Sequence, residues 1–247
     1  KSPAVTVSTM KVESSLWQPT LKAVGSMRAR LGVNVTTELA GMVQTIYFTP
    51  GSIVKKGTVL VQLNADAELG QLHSLQAQVE LAKITYNRDK AQYAVRAVSR
   101  QVVDTDEWNL KNLQAQVAQQ AATVEKKTIR APFDGQLGIN NTNPGQYLNV
   151  ADTVSTLQAL DPLYADFYLP QQDLAQLELG QTVKVVTNTF PKKVFLGKIT
   201  TIEPIVDSAT RNVQVEATIP NPDYQLKPGM FTQVEVETGA KQSFLTL

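Results

Sequence analysis

The sequence contains no cysteine and a single histidine, His73, among its 247 residues. Disulfide bonds, zinc thiolate sites and thiol catalysis are therefore excluded. His73 stands in a helical pattern with no second ligand at helical spacing, so a surface histidine is expected rather than a catalytic triad or a metal site. We expect no cofactor and no enzymatic activity.

An excess of one charge and long apolar runs are also lacking. Lys and Arg number 23 against 22 Asp and Glu, which gives no electrostatic reason to expect nucleic acid or an anionic membrane surface as a partner. No stretch reaches the roughly 18 apolar residues of a transmembrane helix. The first residues, KSPAVTV, lack the apolar core of a signal peptide. We therefore expect a soluble portion of a protein, with any anchor upstream.

Two further patterns, which in other sequences mark an acid–base site or a phosphate-binding loop, are not interpreted as sites here. Asp104, Asp106 and Glu107 lie near the start of a predicted helix, where the helix dipole favours acids, and no apolar pattern around them predicts a raised pKa. Gly51 and Gly57 form a GxxxxG pattern that is followed by a strand and lacks the Ser or Thr of a phosphate loop.

The sequence contains an internal repeat. Positions within residues 38–57 (ELAGMVQTIYFTPGSIVKKG) match positions within residues 131–150 (APFDGQLGINNTNPGQYLNV) at a constant offset of 94. Five positions match, namely Gly41 with Gly135, Val43 with Leu137, Pro50 with Pro144, Gly51 with Gly145 and Val54 with Leu148. Two unrelated hairpins would also contain Pro-Gly turns, but the shared offset favours two four-stranded halves of one β-sandwich, each too small to fold alone.

Between the halves the apolar period changes from two to 3.5. From Ala65 to Lys127 there is no proline and only one glycine. Apolar residues recur by sevens in two runs, Leu72, Val79, Tyr86, Tyr93 and Val103, Leu110, Val117, Val124. This pattern predicts two antiparallel helices of about 45 Å, each with one apolar seam. The break is expected at 97–101, with Ser99 as the N-cap of the second helix.

The sequence after residue 160 reads as alternating strands separated by proline-rich turns. It begins with a strand from Leu163 to Leu169, followed by a short helix that starts at Pro170, has Leu174 and Leu177 on one face and stops at Gly180. Alternation with few loops predicts a small closed barrel, because closure removes exposed sheet edges. Residues 18–30 are expected to supply its first strand.

The order of these modules, with the segments DPLYADFYLP, TRNVQVEA and LKPGM, resembles the membrane fusion protein family, the periplasmic adaptors of bacterial tripartite efflux pumps and secretion systems. The resemblance covers essentially the whole chain and implies an α+β multidomain fold. Its parts are a split lipoyl-like β-sandwich (31–64 and 128–157), an inserted antiparallel α-helical hairpin (65–127), a small β-barrel with one short helix (18–30 and 158–238) and a truncated membrane-proximal β domain (1–17 and 239–247).

The resemblance also implies a function. It predicts an adaptor that links an inner-membrane transporter, of the resistance-nodulation-division type, to an outer-membrane channel for export of drugs or other small molecules. Self-association into a trimer or hexamer is implied, as is a periplasmic location at the inner membrane through an anchor absent from this chain. Alternatives are an adaptor of an ATP-driven or major-facilitator exporter and a structural coiled-coil module without a role in transport.

The hairpin tip is the expected contact with the channel. In adaptors of this pump type the tip carries an Arg, a Leu four residues on and a Ser seven further. Arg88 and Ser99 match this pattern, Gln92 replaces the Leu, and the neighbouring Tyr93 is interpreted as the apolar side chain there. With Val98, these residues form the predicted contact. The alternative is that Arg88 is a solvated helix residue and Ser99 only a cap.

A related use of the sandwich is not expected. Carrier domains of similar fold hold lipoate or biotin on a lysine at the exposed turn that joins the two halves. Here the joint after Leu63 is replaced by the helical insertion, and Lys55 and Lys56 lie in a different turn. They are interpreted as ordinary solvated turn residues.

Overall fold

The computed structural model describes residues 13–239 and 242–246. Its elements in chain order are β1 (Glu13–Trp17), β2 (Thr20–Ala29), β3 (Gly32–Thr36), β4 (Gly41–Ile46), β5 (Ile53–Val54), β6 (Val59–Leu63), α1 (Asp66–Ala94), α2 (Arg100–Lys126), β7 (Thr128–Arg130), β8 (Gly135–Leu137), β9 (Tyr147–Leu148), β10 (Thr153–Gln158), β11 (Leu163–Pro170), a 3-10 helix (Gln171–Gln176), β12 (Thr182–Thr187), β13 (Phe190–Val206), β14 (Asn212–Ile219), β15 (Phe231–Glu237) and β16 (Gln242–Thr246). They form two units, one within Lys1–Leu31 and Ala159–Leu247 and one within Gly32–Gln158.

The predicted repeat builds the sandwich of the second unit. Each half contributes four strands, β3–β6 and β7–β10. The two Pro-Gly turns are equivalent, since Gly51 and Gly145 have φ of +78° and +83°, a conformation that glycine adopts without strain. Val43 and Leu137, which the repeat aligns, are both buried in the core.

Neither half forms a sheet by itself. One sheet has the strand order β3-β10-β8-β5 and the other β7-β6-β4-β9, so each sheet takes two strands from each half. The short strands are exchanged, because β5 pairs with β8 and β9 pairs with β4. The sandwich is therefore complete only when both halves are present.

The core of the sandwich is apolar. Its fully buried side chains are Leu60, Val61, Leu63, Val154 and Leu157. Burying a side chain of this size contributes about 1.5 to 3 kcal/mol. The polypeptide leaves this core at the end of β6 and returns in β7, and these two strands are paired. Both arms of the helical insertion therefore start from neighbouring, hydrogen-bonded strands of the sandwich.

The insertion is the predicted hairpin. α1 has 29 residues and α2 has 27, which corresponds to arms of about 40 to 44 Å. Leu75, Ala82 and Val103 are buried where the helices meet. The seven-residue pattern is confirmed as the inward seam, with Val103 buried, Leu72, Val79, Tyr86, Leu110, Val117 and Val124 half-buried and Tyr93 exposed near the tip.

The first unit contains the closed barrel that the alternating strands predicted. Its order is β11-β14-β13-β12-β15-β2, and β2 pairs with both β11 and β15 to close it. Burial alternates along β11 and β14, and the inward side chains, led by Phe167, form one apolar core. The strand expected at 18–30 is β2.

The short helix of the barrel differs from the prediction. It is a 3-10 helix, and Pro170 is the last residue of β11 and the N-cap rather than the first helical residue. Leu177 is the C-cap with extended backbone angles, and it is buried whereas Leu174 is exposed, so the prediction of one shared helical face is wrong. Gly180 has φ of +86°, but the helix already ends at Gln176, so Gly180 is not its stop.

The chain ends are only partly described. β1 and β16 pair antiparallel from Glu13↔Thr246 to Trp17↔Gln242. Residues 1–12, 240–241 and 247, which belong to the predicted truncated membrane-proximal domain, lie outside the described residues. The boundaries of the four predicted domains stay a prediction.

Candidate functional site on the helical hairpin

Residues 95–99 form the turn at the tip of the hairpin. Two backbone hydrogen bonds close it, from the Arg96 N–H to the Tyr93 carbonyl and from the Ala97 N–H to the Gln92 carbonyl, both 2.9 Å long. Arg96 has φ of +60°, which reverses the chain direction at the end of α1. The predicted break at 97–101 is thus displaced by two residues.

Ser99 caps the second helix as predicted. It has extended backbone angles, and its Oγ accepts a hydrogen bond from the Val102 N–H at 3.4 Å. α2 begins at Arg100, immediately after the cap. The cap satisfies one of the free N–H groups of the first turn of α2.

The predicted contact residues do not all lie at the tip. Gln92 and Val98 are half-buried around the turn, and Tyr93 and Ser99 are exposed there. Arg88 is exposed but lies seven residues before the C-cap of α1, about 10 Å further down the helix. The structure therefore gathers four of the five residues and sets Arg88 apart.

A pair of carboxyl groups lies beside Arg88. Asp89 of α1 and Asp106 of α2 are within hydrogen-bonding reach across the seam, and the Arg88 Nε donates to the Asp89 Oδ1 at 3.1 Å. Burial raises the pKa of Asp106, and the neighbouring Asp89 raises it further, whereas the Arg88 charge lowers it. When both carboxyl groups are ionised neither has a proton to donate, and the buried Asp106 Oδ2 has no hydrogen-bond partner among the described residues.

The interpretation of Asp106 as a helix-start acid is therefore wrong. The first turn of α2 contains no acidic residue, and Asp106 faces α1. A signal for this was present in the sequence, because Asp89 and Asp106 follow the seam residues Tyr86 and Val103 by three positions. At that spacing a side chain returns to the same face of a helix.

Each helix also has a second row on its outer face, which contains small and apolar side chains together with a few charged ones. The expectation of one apolar seam per helix is therefore incomplete. The outer row of α1, at steps of three and four residues, is Ala77, Leu81, Ile84, Arg88, Ala91 and Val95, all exposed. Leu81 and Ile84 are 66% and 63% exposed. These rows lie about opposite the inward seam.

The outer row of α2 has the same spacing. Its residues are Asp104, Trp108, Lys111, Ala115, Ala118 and Ala122, all exposed. Trp108 is 68% exposed, and the Lys111 Nζ lies 4.5 Å from its ring centroid, a cation–π distance. The bulky residues of α2 are therefore near the tip, whereas those of α1 are near the middle of the arm.

An ion pair between a buried lysine and a half-buried glutamate holds the base of the hairpin. The Lys127 Nζ lies 2.8 Å from the Glu68 Oε1 and donates to the Ala40 carbonyl at 3.1 Å. Lys127 is only 8% exposed, although the sequence indicated no more than a cation at a helix end. The hydrogen bond from Lys127 holds the pKa of Glu68 below its usual value. Gln120 adds a hydrogen bond to the Glu68 carbonyl at 2.9 Å.

The other candidates are exposed and isolated. His73 is exposed on α1, and Lys55 and Lys56 are exposed in the turn between β5 and β6. Within residues 13–239 and 242–246, no three His, Cys, Asp or Glu side chains are placed to hold a metal ion. In the same described part of the chain, no helix combines the length and apolar character of a membrane span.

Known proteins share both units. Residues 162–240, which contain β11–β15, match the family model of the CusB-like β-barrel domain. MdtE of Escherichia coli, a multidrug resistance protein, is 30% identical over 85% of this chain and 62% of its own length. TtgA of Pseudomonas putida, a toluene efflux pump periplasmic linker protein, is 27% identical over 94% of this chain and 65% of its own length. Residues 162–240 thus match a known β-barrel domain family, and the chain as a whole is similar to these efflux proteins.

The fold of the chain is also similar to that of a solved structure. A crystal structure of a MacA–MexA chimera, which contains the α-hairpin domain of Pseudomonas aeruginosa MexA, superposes with a TM-score of 0.83 over 96% of this chain and 87% of the chimera. At 23% identity this likeness shows the shared fold. The chain spans less than two thirds of the length of MdtE and TtgA.

Proposed function

We propose that this protein is a membrane fusion protein, the periplasmic adaptor of a tripartite efflux system. It links an inner-membrane transporter, of the resistance-nodulation-division type, to an outer-membrane channel for export of drugs or other small molecules. The names of MdtE and TtgA, a multidrug resistance protein and a pump linker, support this role. In this proposal the four predicted domains are separate working parts, and the transporter supplies the energy.

The observation that carries the proposal is the way in which the hairpin is held. Its two arms leave and re-enter a sandwich whose sheets each need both halves of the chain. The Lys127–Glu68 pair then ties both helices to this base. Such an arrangement suits a spacer that reaches a partner about 40 Å away, because the base resists bending of the arms.

The outer rows of the helices support self-association of this adaptor. When two copies lie side by side in the same direction, α1 of one faces α2 of the next in antiparallel order. The contact of Asp89 with Asp106 shows which residues of α1 and α2 lie at the same distance from the tip. At matching heights the bulky Leu81 then meets the small Ala115, and Ala77 meets Ala118.

The charges agree with this arrangement, since Arg88 comes level with Asp104 and Trp108 of the next copy. The two rows differ from each other, so the contact is head-to-tail and closes into a ring when the rotation allows. A trimer or hexamer is the expected assembly.

Cysteine crosslinking tests this packing cleanly, because these 247 residues contain no cysteine. Leu81→Cys combined with Ala115→Cys should give crosslinked oligomers in the assembled pump. Lys83→Cys with Asn112→Cys, two exposed positions outside the rows, is the matched control and should give none. Crosslinking from the control pair alone would contradict the packing.

The contact with the channel is proposed for the tip residues Gln92, Tyr93, Val98 and Ser99, with Arg88 lower on the arm. In cells that need this protein for drug resistance, the double variant Arg88→Glu with Ser99→Leu should lose resistance and keep its helical circular dichroism. Lys83→Glu, an exposed charge reversal nearer the base, should keep resistance. Retained resistance in the double variant would remove the tip assignment.

Crosslinking in intact cells tests the class of the transporter. The expected result is co-purification of an inner-membrane transporter of the resistance-nodulation-division type and an outer-membrane channel. Co-purification of an ATP-driven or major-facilitator exporter would replace the proposed partner by one of the alternatives. Recovery of neither kind of membrane protein would favour a structural coiled-coil module.

A further inference from the structure

The hairpin has two broad sides, which lie between the inward seam and the outer rows of its helices. Gln76 of α1 and Gln114 of α2 mark one side, because both line one cavity between the helices. Ions of the two helices also meet on this side. The pKa of Glu107 is lowered by its hydrogen bond with Lys111 and further by the charge of Lys90 on the other helix. This charged side carries Glu80, Lys83, Lys90, Glu107 and Glu125.

The opposite side is built from uncharged polar residues. Successive residues of an α-helix are about 100° apart, so a residue two positions further on lies about 200° round the helix. Gln78 and Gln116 therefore lie opposite Gln76 and Gln114. From residue 71 to residue 85 of α1, this amide side consists of Gln71, Ser74, Gln78 and Thr85.

α2 contributes the same residue types to the amide side. They are Thr105, Asn109, Asn112, Gln116 and Thr123. The hydroxyls of Thr105 and Thr123 donate to carbonyls of their own helix, those of Gln101 and Gln119, at 2.8 and 3.2 Å. Between Thr105 and Thr123 the amide side extends for about 27 Å without a charged group.

We propose that the amide side lines the duct of the assembled pump, and that this duct passes small molecules whether they are cationic, anionic or neutral. The inference rests on the proposed function, because only a ring of hairpins has an inner side. In such a ring the neighbouring copies cover the outer rows. One broad side of every hairpin then faces the central space, and the other faces the surroundings.

Repetition around the ring decides between the two sides. Each side chain occurs once per copy, so a single Lys or Glu that faces the central space becomes a ring of like charges, which attracts ions of one sign and repels those of the other. Amides and hydroxyls donate and accept hydrogen bonds without a net charge. An amide lining therefore selects neither sign, whereas charges on the outward side are screened by bulk salt. A duct for drugs of unlike charge needs the amide side inside.

Thiol labelling of the purified tripartite assembly tests which side is inside. Gln78→Cys and Gln76→Cys are a matched pair, since both replace an exposed glutamine of the same helix. A small maleimide should modify both variants. A maleimide carried on a large polyethylene glycol should modify Gln78→Cys about tenfold more slowly than Gln76→Cys, because the polymer does not enter the duct. In the free adaptor the two variants should react alike.

The outcomes separate the lining of the duct from the ring itself. The crosslink of Leu81→Cys with Ala115→Cys, in a parallel preparation, shows whether the ring has formed. With the crosslink present, equal modification of Gln78→Cys and Gln76→Cys by the polymer, or protection of Gln76→Cys alone, would overturn the amide lining and leave the ring. Without the crosslink, the ring and the lining would both be rejected.

Added charge then measures selectivity. Gln78→Glu keeps the shape and helix propensity of the side chain and places a ring of carboxylates in the duct. In cells that need this protein for drug resistance, the ratio of the inhibitory concentrations of an anionic and a cationic drug should fall about tenfold. Gln78→Lys should raise this ratio, and Gln76→Glu should leave it unchanged. An unchanged ratio in both Gln78 variants, or an equal fall in Gln76→Glu, would contradict the lining.

Discussion

The two ends of the helical hairpin are held by opposite kinds of ionic contact. At the base, Lys127 and Glu68 form a pair of unlike charges that is also bonded to the Ala40 carbonyl. Toward the tip, Asp89 and Asp106 place two like charges at equivalent positions of the same seam. Both contacts join α1 to the end or the face of α2. The Lys127–Glu68 pair is favourable when the Glu68 carboxylate is ionised, whereas the Asp89–Asp106 pair is favourable when it holds a proton.

Acid therefore acts in opposite directions at the two ends. Because the folded pKa of Glu68 is lowered, the base pair stabilises fully above the usual pKa of a glutamate and is lost as pH falls through the lowered value. The Asp106 pKa is raised, so its contribution is lost as pH rises. The ion pair at the base therefore contributes most at neutral pH, whereas the contact of the two carboxyl groups toward the tip contributes most in acid.

The largest expected difference between the ends is in apolar packing. Leu63, fully buried where the chain leaves the sandwich, should cost about 3 to 5 kcal/mol of unfolding free energy when changed to Ala. Leu110→Ala, in the half-buried seam toward the tip, should cost about 1 kcal/mol. Denaturant unfolding followed by circular dichroism at 222 nm compares them; equal losses would show that the base is not the stronger anchor.

The next effect comes from the buried lysine. Lys127→Ala leaves Glu68 without its partner and should destabilise the hairpin by about 2 to 3 kcal/mol. Lys126 is the matched control, because its pair with Glu38 is exposed on both sides and its loss should cost at most about 0.5 kcal/mol. Thermal unfolding of both variants measures the difference, and similar melting temperatures would argue against an anchoring role of Lys127.

A smaller effect separates the two ends by their pH dependence. Glu68→Gln keeps the shape of the side chain but removes its charge, and should cost about 1.5 kcal/mol at neutral pH. The difference from the parent protein should shrink as pH falls, because the parent also loses the carboxylate in acid. Melting curves across pH test this, and a constant difference would mean that the ion pair contributes no pH dependence.

The smallest effect concerns the cap at the tip. Ser99→Ala removes one exposed hydrogen bond of 3.4 Å and should cost about 0.5 to 1 kcal/mol. Ser99→Asp preserves the cap and should restore most of the loss. Hydrogen exchange at the Val102 amide reports it directly; unaltered protection in the Ala variant would show that the hydroxyl does not hold this turn.

The large elements could be predicted from the sequence because their patterns repeat. The offset that joins Val43 to Leu137 extends over twenty residues, and the seven-residue period from Leu72 to Tyr93 extends over the arm of a helix. Patterns of this length outweigh local exceptions. The exchange of β5 and β9 between the sheets could not be predicted, since strands of two residues carry no pairing signal.

The charged contacts were missed for a different physical reason. Asp106 and Lys127 have residue types that the ends of helices favour, so local rules explained them without their neighbours. Their burial depends on which face of α2 meets α1, and this is fixed by packing over the whole hairpin. The channel contact at the tip likewise stays a prediction, because the surface that it meets belongs to another molecule.

Because each sheet of the sandwich takes strands from both halves, formation of the hairpin helps the sandwich at its base to assemble. Between the end of β6 and the start of β7 lie 64 residues, but two helices that pair locally bring these strands side by side. Cutting the backbone at the tip turn would interrupt no strand. Two fragments, residues 1–97 and 98–247, should accordingly recognise each other and rebuild the sandwich without a covalent link.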